Sequence, residues 1–277
     1  MLEATLLALG SAVLHAGWNL LVKTSDERFL TAWGQFVVGA VLLLPVLVFT
    51  GLPDSAAIPF LVTSSLVHVV YVAALVRAYH HADFSFAYPI ARGGGALLAA
   101  IGGVAFLSDQ LSGLSWLAIA IVVVGLVSFV RPSVGLLAIG WALLTALTIG
   151  TYTTLDAAGA RRTESGLAYG IVLVAAVALA TSIAGVAIGR GRDFLHYLRT
   201  AERRRVVAGG LATAIAYSMV LVAVRLAPVG YVASLRESSV VLGAAAGWLL
   251  LHERLGRMRL VSSLVVAAGL VLLVISR

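Results

Sequence analysis

The 277-residue chain contains no cysteine, and only 11% of its residues are charged. The lack of cysteine excludes disulfides, thiolate metal sites and cysteine nucleophiles. A water-soluble domain carries about 25% charged residues, whereas 61% of this chain is hydrophobic and its mean hydropathy is +1.05. The composition therefore excludes a soluble globular protein and predicts an all-α integral membrane protein.

Apolar segments of nearly uniform length follow one another along the chain. A membrane-spanning helix needs about 20 predominantly apolar residues, and we expect ten such helices, at 4–22, 29–50, 56–76, 85–107, 114–130, 134–155, 166–188, 206–225, 229–251 and 260–275. The connections leave no room for a soluble domain, and the longest one, 189–205, can hold only a short surface helix. The first segment lacks the basic start of a signal peptide, so we interpret it as a retained helix.

Basic residues between the apolar segments are unevenly divided between the two sides of the membrane. If all ten spans exist, one side carries Lys23, Arg28, Arg77, Arg131, Arg190, Arg192, Arg199, Arg203, Arg204, Arg205, Arg254, Arg257 and Arg259. The side with both termini carries only Arg161, Arg162, Arg225 and Arg277. Cytoplasmic loops are enriched in Lys and Arg, so we expect both termini outside the cytoplasm. Such a basic collar faces lipid headgroups and does not indicate a nucleic-acid site.

Two apolar segments contain an arginine within a repeated pattern. Residues 88–95 (YPIARGGG) align without a gap with residues 232–239 (VASLRESS), which places Arg92 over Arg236. A charged side chain near the bilayer centre costs roughly 2.5 to 3.5 kcal/mol even on insertion scales, and such residues mark solute or ion pathways. Equivalent arginines in both halves are therefore hard to explain by packing, and they indicate a solute-handling cavity.

The alignment continues to the ends of both halves, so we interpret the chain as a duplication with repeats at 1–132 and 133–277. Five spans per repeat is an odd number, and the two repeats would therefore insert with opposite orientations. Inverted repeats of this kind build transporters whose binding site lies near the bilayer midplane between the halves. The expected architecture is ten transmembrane helices, formed by two inverted five-helix repeats around a central cavity.

In this arrangement the chain resembles the ten-helix EamA-type transporters of the drug/metabolite transporter superfamily. The residues that carry the resemblance are Pro89, Arg92, Gly103, Asp109 and Leu111 in the first repeat, and Ala227, Pro228, Arg236, Gly247, Glu253 and Leu255 in the second. The resemblance implies a basket of helices around a central cavity lined mainly by the first, third, fourth, sixth, eighth and ninth spans. It also implies cytoplasmic termini, which conflicts with the orientation that the charges favour.

The candidate site residues are polar or aromatic side chains within the spans. We expect the substrate to contact His15, Trp18, Asn19, Tyr71, Tyr79, His80, Tyr88, Arg92, Tyr152, Tyr217 and Arg236. Spacings of three and four put the first three on one helix face, which faces either the cavity or a hydrogen-bonding neighbour helix. The arginines suit a substrate carboxylate, with structural ion pairing as the alternative.

Two carboxylates lie deep in spans, Glu237 and Asp156, and we assign them to coupling or gating. Adjacent positions on a helix point about 100 degrees apart, so His80 and His81 do not predict a metal site.

The sequence predicts a secondary transporter that exports small metabolites by alternating access, with amino acids, aromatic ones included, as the expected class. An importer or facilitator of other solutes, such as nucleosides or drugs, is the alternative. A membrane-embedded enzyme that acts on lipid phosphate is the alternative outside the transporters. The chain has no nucleophile motif, aspartate-rich metal motif or ATP-binding loop. We expect no enzyme activity and no cofactor, and we expect a multi-pass monomer in the cell inner membrane.

Overall fold

The computed structural model describes residues 1–23, 25–81, 84–128, 135–200, 203–242 and 257–276. These residues are almost entirely helical and contain no strand. The helices are α1 Leu2–Lys23, α2 Arg28–Leu43, α3 Leu47–Thr50, α4 Ile58–His81, α5 Phe84–Leu107, α6 Gly113–Val127, α7 Leu136–Ala160, α8 Gly166–Ala187, α9 Gly191–Thr200, α10 Arg203–Leu226, α11 Val229–Arg236 and α12 Arg257–Ile275. The all-α prediction is confirmed for the described residues.

Six stretches of the described chain are helices long and apolar enough to cross a membrane, and α1, α6 and α12 contain shorter apolar helices. Large apolar side chains cover the outer surface, for example Val48 at 83% exposure, Phe49 at 89% and Leu136 at 87%. An apolar exterior is expected where lipid replaces water. The protein is therefore a multi-pass membrane protein. The ninth expected span runs into 243–251, outside the described residues, so the ten-helix count and the inverted repeat stay predictions.

The second expected span is bent within its length. Pro45 lacks an amide hydrogen and cannot continue the α-helical ladder, and the chain passes through a 3-10 turn at Leu44–Val46 before α3. Gly51, with φ of 72°, then ends this helix in the left-handed conformation that glycine adopts readily. The short helix α9 occupies the connection 189–205, where the sequence leaves room for only a short surface helix.

Glycine and alanine hold the helices close together. In the contact between α5 and α7, a Cβ atom at Gly95 would overlap the Ile149 side chain, and one at Gly150 would overlap Leu98. Small residues drive helix association in lipid by allowing such backbone approach. This packing brings the middle of α5 against α7, where several of the candidate site residues lie.

One end of the bundle is tied together around Asp109. Its Oδ1 accepts a hydrogen bond from Nη1 of Arg161 at 2.7 Å, and its Oδ2 accepts one from the amide of Val229 at 2.6 Å. Arg161 also donates from Nε to the Val224 carbonyl at 2.8 Å and from Nη2 to the Ala227 carbonyl at 3.2 Å. The junction therefore joins the ends of α5, α7 and α10 to the start of α11.

Both ends of the described chain lie beside this junction. Ser112, which follows α5, donates from its Oγ to the carbonyl of Ser276, the last described residue, at 3.1 Å. Thr5 at the other end of the chain shares a 2.8 Å hydrogen bond with the Tyr231 hydroxyl in α11. The two termini are thus on the same side of the bundle, as the span count predicts.

Candidate functional site

Arg92 and Arg236 meet in the interior of the bundle. Arg92 comes from α5 and is 7% exposed, while Arg236 ends α11 and is 6% exposed. Arg92 donates from Nε to Oε2 of Glu237 at 3.2 Å and from Nη2 to Oε1 at 2.7 Å. The carboxylate of Glu237 thus neutralises Arg92 across the contact between α5 and α11.

Arg236 is the less constrained of the two arginines. Its Nε has no hydrogen-bond partner among the described residues, and its Cζ lies 5.7 Å from the centroid of the Tyr217 ring. An arginine over an aromatic face gains a cation–π attraction that grows when both groups are removed from water. Because Arg92 is engaged by Glu237, Arg236 is better placed to receive a further anion.

The helix that carries Arg236 is interrupted at this point. The amide of Glu237 bonds the Ser234 carbonyl at 3.0 Å in a tightened turn, and residues 238–242 are helical again. The hydroxyls of Ser234, Ser238 and Ser239 are buried and lack a partner within the described chain. Buried polar groups are normally hydrogen-bonded, and interrupted membrane helices typically line binding sites. The hydroxyls around the interruption are therefore available to a ligand or to water.

Aromatic rings from three helices form a wall beside the arginines. His68 of α4 stacks on Tyr152 of α7 with centroids 4.0 Å apart, and Tyr71 meets Tyr152 edge-on at 5.6 Å. Tyr217 of α10 meets His68 edge-on at 6.0 Å. The charges of both arginines act on Tyr71 and Tyr152. The wall therefore flanks the two guanidinium groups.

His15 of α1 completes the surroundings. Its ring meets Trp18 edge-on with centroids 4.8 Å apart, and the charges of Arg92 and Arg236 also act on it. The polar face predicted for the first span thus points its histidine towards the arginines. We refer to His15, His68, Tyr71, Arg92, Tyr152, Asp156, Tyr217, Arg236 and Glu237 as the central polar cluster.

Asp156 lies at the edge of this cluster and is 1% exposed. The Tyr217 hydroxyl donates to its Oδ2, the Tyr169 hydroxyl donates to its Oδ1 at 3.4 Å, and Ser64 supplies a third hydrogen bond. No lysine or arginine of the described residues forms an ion pair with it. Asp156 and Glu237 therefore differ in kind, since one is held by hydroxyls and the other by a guanidinium.

The model of the EamA-like transporter family matches residues 136–275, half of the chain. The chain belongs to the EamA-like transporter family. This confirms the resemblance to the drug/metabolite transporter superfamily and fits a small-molecule transporter in a lipid bilayer. No curated protein matches the sequence.

The fold of this EamA-like chain is also known from solved structures. One crystal structure aligns with a TM-score of 0.77 at 15% sequence identity, over 99% of this chain and 97% of the other. At that identity the likeness shows the fold alone. The central polar cluster draws its residues from α1, α4, α5, α7, α10 and α11, which correspond to the six spans that the family resemblance implies around the cavity.

The predicted site residues of this EamA-like protein divide into three groups. The structure brings together His15, Trp18, Tyr71, Arg92, Tyr152, Tyr217, Arg236, Glu237 and Asp156. His80 is exposed in the last turn of α4. The side chains of Asn19, Tyr79 and Tyr88 lie outside the described part of the chain, as do Gly247 and Glu253.

Three residues of the site were not among the predicted ones. His68 and Ser64 share a face of α4 with Tyr71, at spacings of three and four, so helical periodicity could have indicated them. Tyr169 belongs to α8, and no local pattern connects it to Asp156. Among the described residues there is no group of three or more His, Asp or Glu side chains that could hold a metal.

Proposed function

We propose that this EamA-like protein is a secondary transporter of small zwitterionic metabolites, with amino acids as the foremost class. The supporting observation is the buried guanidinium of Arg236, whose Nε lacks a hydrogen-bond partner among the described residues, as do the hydroxyls of the nearby residues Ser234, Ser238 and Ser239. A guanidinium presents a planar fork that matches a carboxylate, and hydrogen bonds to charged groups are among the strongest in proteins.

The cluster also offers a counterpart for a positively charged group. Glu237 lies next to Arg236 in the chain and holds Arg92 through two hydrogen bonds. Each carboxylate oxygen of Glu237 keeps a second lone pair for a further donor, so a substrate carboxylate on Arg236 and a substrate ammonium at Glu237 would satisfy both charges of an amino acid. Burial of either charge alone would be costly, so a zwitterion fits this site better than a simple cation or anion.

The aromatic wall favours substrates with a flat or apolar side chain. Tyrosine rings provide contact area together with a hydroxyl that can form hydrogen bonds. Tyr71, Tyr152 and Tyr217 gather around the ring of His68, which stacks on Tyr152 and meets the other two rings edge-on. Aromatic amino acids are therefore the first substrates to test.

Transport proceeds by alternating access between two inverted repeats, 1–132 and 133–277, in the inner membrane. The ion pair of Asp109 and Arg161 ties helix ends together on the side that carries both termini, and we take the central cavity to open towards the other side. The basic residues of α9 and its flanks favour a cytoplasmic location for that other side. A cavity open to the cytoplasm and closed to the exterior is the loading state of an exporter.

The proposal is tested with purified protein in liposomes preloaded with pools of amino acids or nucleosides, by following exchange of the matching labelled pool. We expect exchange of amino acids, its loss in Arg236→Gln, and unchanged exchange in Arg190→Gln, which alters an arginine that is 37% exposed. Exchange of nucleosides without exchange of amino acids would show that nucleosides, not amino acids, are the substrate class. Equal exchange by Arg236→Gln and the parent protein, at equal amounts in the membrane, would reject the site.

The orientation has its own test because the chain contains no cysteine. A single cysteine placed at the exposed Thr200, on the α9 side, and another at the exposed Ser55, on the side of the termini, report accessibility to an impermeant thiol reagent in whole cells. We expect labelling at Ser55→Cys only. The reverse pattern would place the termini in the cytoplasm.

A further inference from the structure

Asp156 has surroundings that the binding of a zwitterion does not explain. It belongs to α7, is 1% exposed, and accepts hydrogen bonds from the hydroxyls of Tyr217, Tyr169 and Ser64. These hydroxyls come from three other helices, α10, α8 and α4. A carboxyl group that gathers donors from three helices and meets no cation among the described residues is either a structural hub or a site where a proton binds and leaves.

The groups around Asp156 can be named for each element packed on α7. The helix α4 supplies Ser64, His68 and Tyr71, and α5 supplies Arg92. Tyr169 comes from α8, Tyr217 from α10, and both Arg236 and Glu237 from the segment that begins with α11. The turn Ser55–Ala57 supplies no titratable group. Glu237 is engaged with Arg92. His68 Nδ1 lies 2.9 Å from the Ser64 carbonyl. This nitrogen therefore donates its hydrogen to that carbonyl and not to Asp156.

Removal of a carboxylate from water without a neighbouring cation strongly disfavours the charged form. Hydroxyl donors offset only part of that cost, so the surroundings of Asp156 can accommodate the neutral form as well as the charged one. Glu237 differs, because the hydrogen-bonded guanidinium of Arg92 favours its charged form. Of the two deep carboxylates, Asp156 is therefore the one suited to exchange a proton.

Tyr217 connects Asp156 to the substrate site. Its hydroxyl donates to Asp156, while the face of the same ring lies 5.7 Å from Cζ of Arg236. The edge of the ring also meets His68. A change in the hydrogen bond at one end of this side chain therefore alters the support of the guanidinium at the other end.

We propose that Asp156 is the proton-binding site of the transporter and that Tyr217 transmits its protonation state to Arg236. The proposal rests on the proposed function for the role of Arg236. In the charged form, Asp156 holds the Tyr217 hydroxyl and the ring supports Arg236 in its substrate-binding position. When Asp156 takes a proton from the water that enters the cavity, it no longer offers an anionic acceptor, and Tyr217 releases Arg236.

The direction of coupling follows from this arrangement. Substrate favours the charged form of Asp156, so substrate binding releases one proton to the solution, and proton binding releases substrate. Mutual exclusion of proton and substrate is the requirement of an antiporter, in which inward flow of protons drives outward flow of substrate. The only covalent bond that forms or breaks is the one between the proton and the carboxylate oxygen of Asp156.

The first test measures the affinity for L-phenylalanine at two pH values on the purified protein. Linked sites typically change each other's affinity by roughly 5- to 150-fold, and we expect a decrease of this size on acidification of the parent protein. Asp156→Asn removes the titrating group, so its affinity is expected to be independent of pH. Proton release on addition of L-phenylalanine, followed with a dye in weak buffer, is expected for the parent and absent in Asp156→Asn.

Two tyrosine variants separate the relay from a general effect on packing. Tyr217→Phe keeps the ring but loses the hydroxyl, and we expect the ratio of affinities at the two pH values to fall towards one. Tyr169→Phe removes another hydroxyl that bonds Asp156 but leaves the contact of Tyr217 with Arg236 in place, so this matched control is expected to keep a ratio well above one. Equal ratios in Tyr217→Phe and the parent protein would overturn the relay.

A spectroscopic measurement keeps the proton site testable without any substrate. Infrared difference spectra of the substrate-free protein should gain the absorption of a protonated carboxyl group on acidification, and Asp156→Asn should lack this signal while Glu237→Gln keeps it. If the parent protein binds no amino acid, the proposed function fails and these spectra still decide whether Asp156 binds a proton. A signal that persists in Asp156→Asn and disappears in Glu237→Gln would assign the proton to Glu237 and overturn the proposal.

Discussion

The buried ion pair of Arg92 and Glu237 leads to the most quantitative prediction. Its side chains are 8% and 4% exposed and its closest contact is 2.7 Å. At an effective dielectric constant of about 20, two unit charges about 4 Å apart interact by about 4 kcal/mol. Removal of one partner of a buried pair costs roughly 3 to 5 kcal/mol, since the other charge is left buried and uncompensated.

The two single variants should differ in a direction that the structure determines. Glu237→Gln leaves Arg92 and Arg236 close to each other without the carboxylate that acts on both. Arg92→Gln leaves Glu237 with Arg236 still acting on it. We therefore expect Glu237→Gln to lower the free energy of unfolding by about 4 kcal/mol and Arg92→Gln to lower it by less.

The assay is equilibrium unfolding in mixed micelles with increasing sodium dodecyl sulfate, applied to both single variants and to the double variant. Residues in contact typically show coupling energies of about 0.5 to 3 kcal/mol, and we expect the double variant to recover an amount near the upper end. Glu3→Gln, an exposed carboxylate in the first turn of α1, is the control and should change stability by less than about 0.5 kcal/mol. Additive effects of the two single substitutions would refute the reasoning.

Three further predictions concern the scaffold. Asp109→Asn should lower the free energy of unfolding by roughly 1 to 3 kcal/mol, because it weakens the charged contact with Arg161 and the hydrogen bond to α11; the unfolding midpoint reports it, and an unchanged midpoint contradicts the role of the junction. Gly95→Ala should be destabilising, whereas Gly140→Ala, whose added Cβ would contact nothing within 4 Å, should be neutral or stabilising by up to about 1 kcal/mol; the same sign for both would contradict the close packing of α5 on α7. Phe194→Ala should release α9 from the indole on which Phe194 stacks at 3.8 Å, which limited trypsin digestion detects as faster cleavage within α9, and an unchanged cleavage rate would contradict this docking.

Much of the architecture is predictable because the bilayer imposes strong rules on composition. The segment lengths locate α1, α4 to α8, α10 and α12 to within about five residues at each end, and they place α2 and α3 together in one span without the break between them, since every backbone polar group in lipid must be satisfied by a helix. Arg92 and Arg236 stand out because a charge in an apolar span is rare and costly. Glu237, which the sequence assigns to coupling or gating, pairs with Arg92 of a neighbouring helix in the structure, and its role in coupling stays a prediction.

The partners of the site residues are harder to predict, because they depend on the rotation and spacing of helices. The periodicity of α7 shows that Asp156 is deep in a span, yet nothing local indicates that tyrosines of α8 and α10 reach it. The hydrogen bonds from these tyrosines depend on how closely the helices approach one another, which glycine and alanine at the helix contacts determine. Similarly, Asp109 is among the residues by which the sequence resembles the transporter family, but its hydrogen bond with the Val229 amide is apparent only in the structure.

The central claim, that Arg236 receives a substrate carboxylate, is tested most directly by a pair of inhibitors that differ in this group. Exchange of labelled L-phenylalanine in liposomes is measured with unlabelled L-phenylalanine or with phenethylamine, which lacks the carboxylate, as competitor. We expect only L-phenylalanine to compete in the parent protein, and we expect residual exchange in Arg236→Lys, which keeps the charge without the planar fork, to be weaker but to keep this preference. Equal competition by both compounds in the parent protein would contradict the claim.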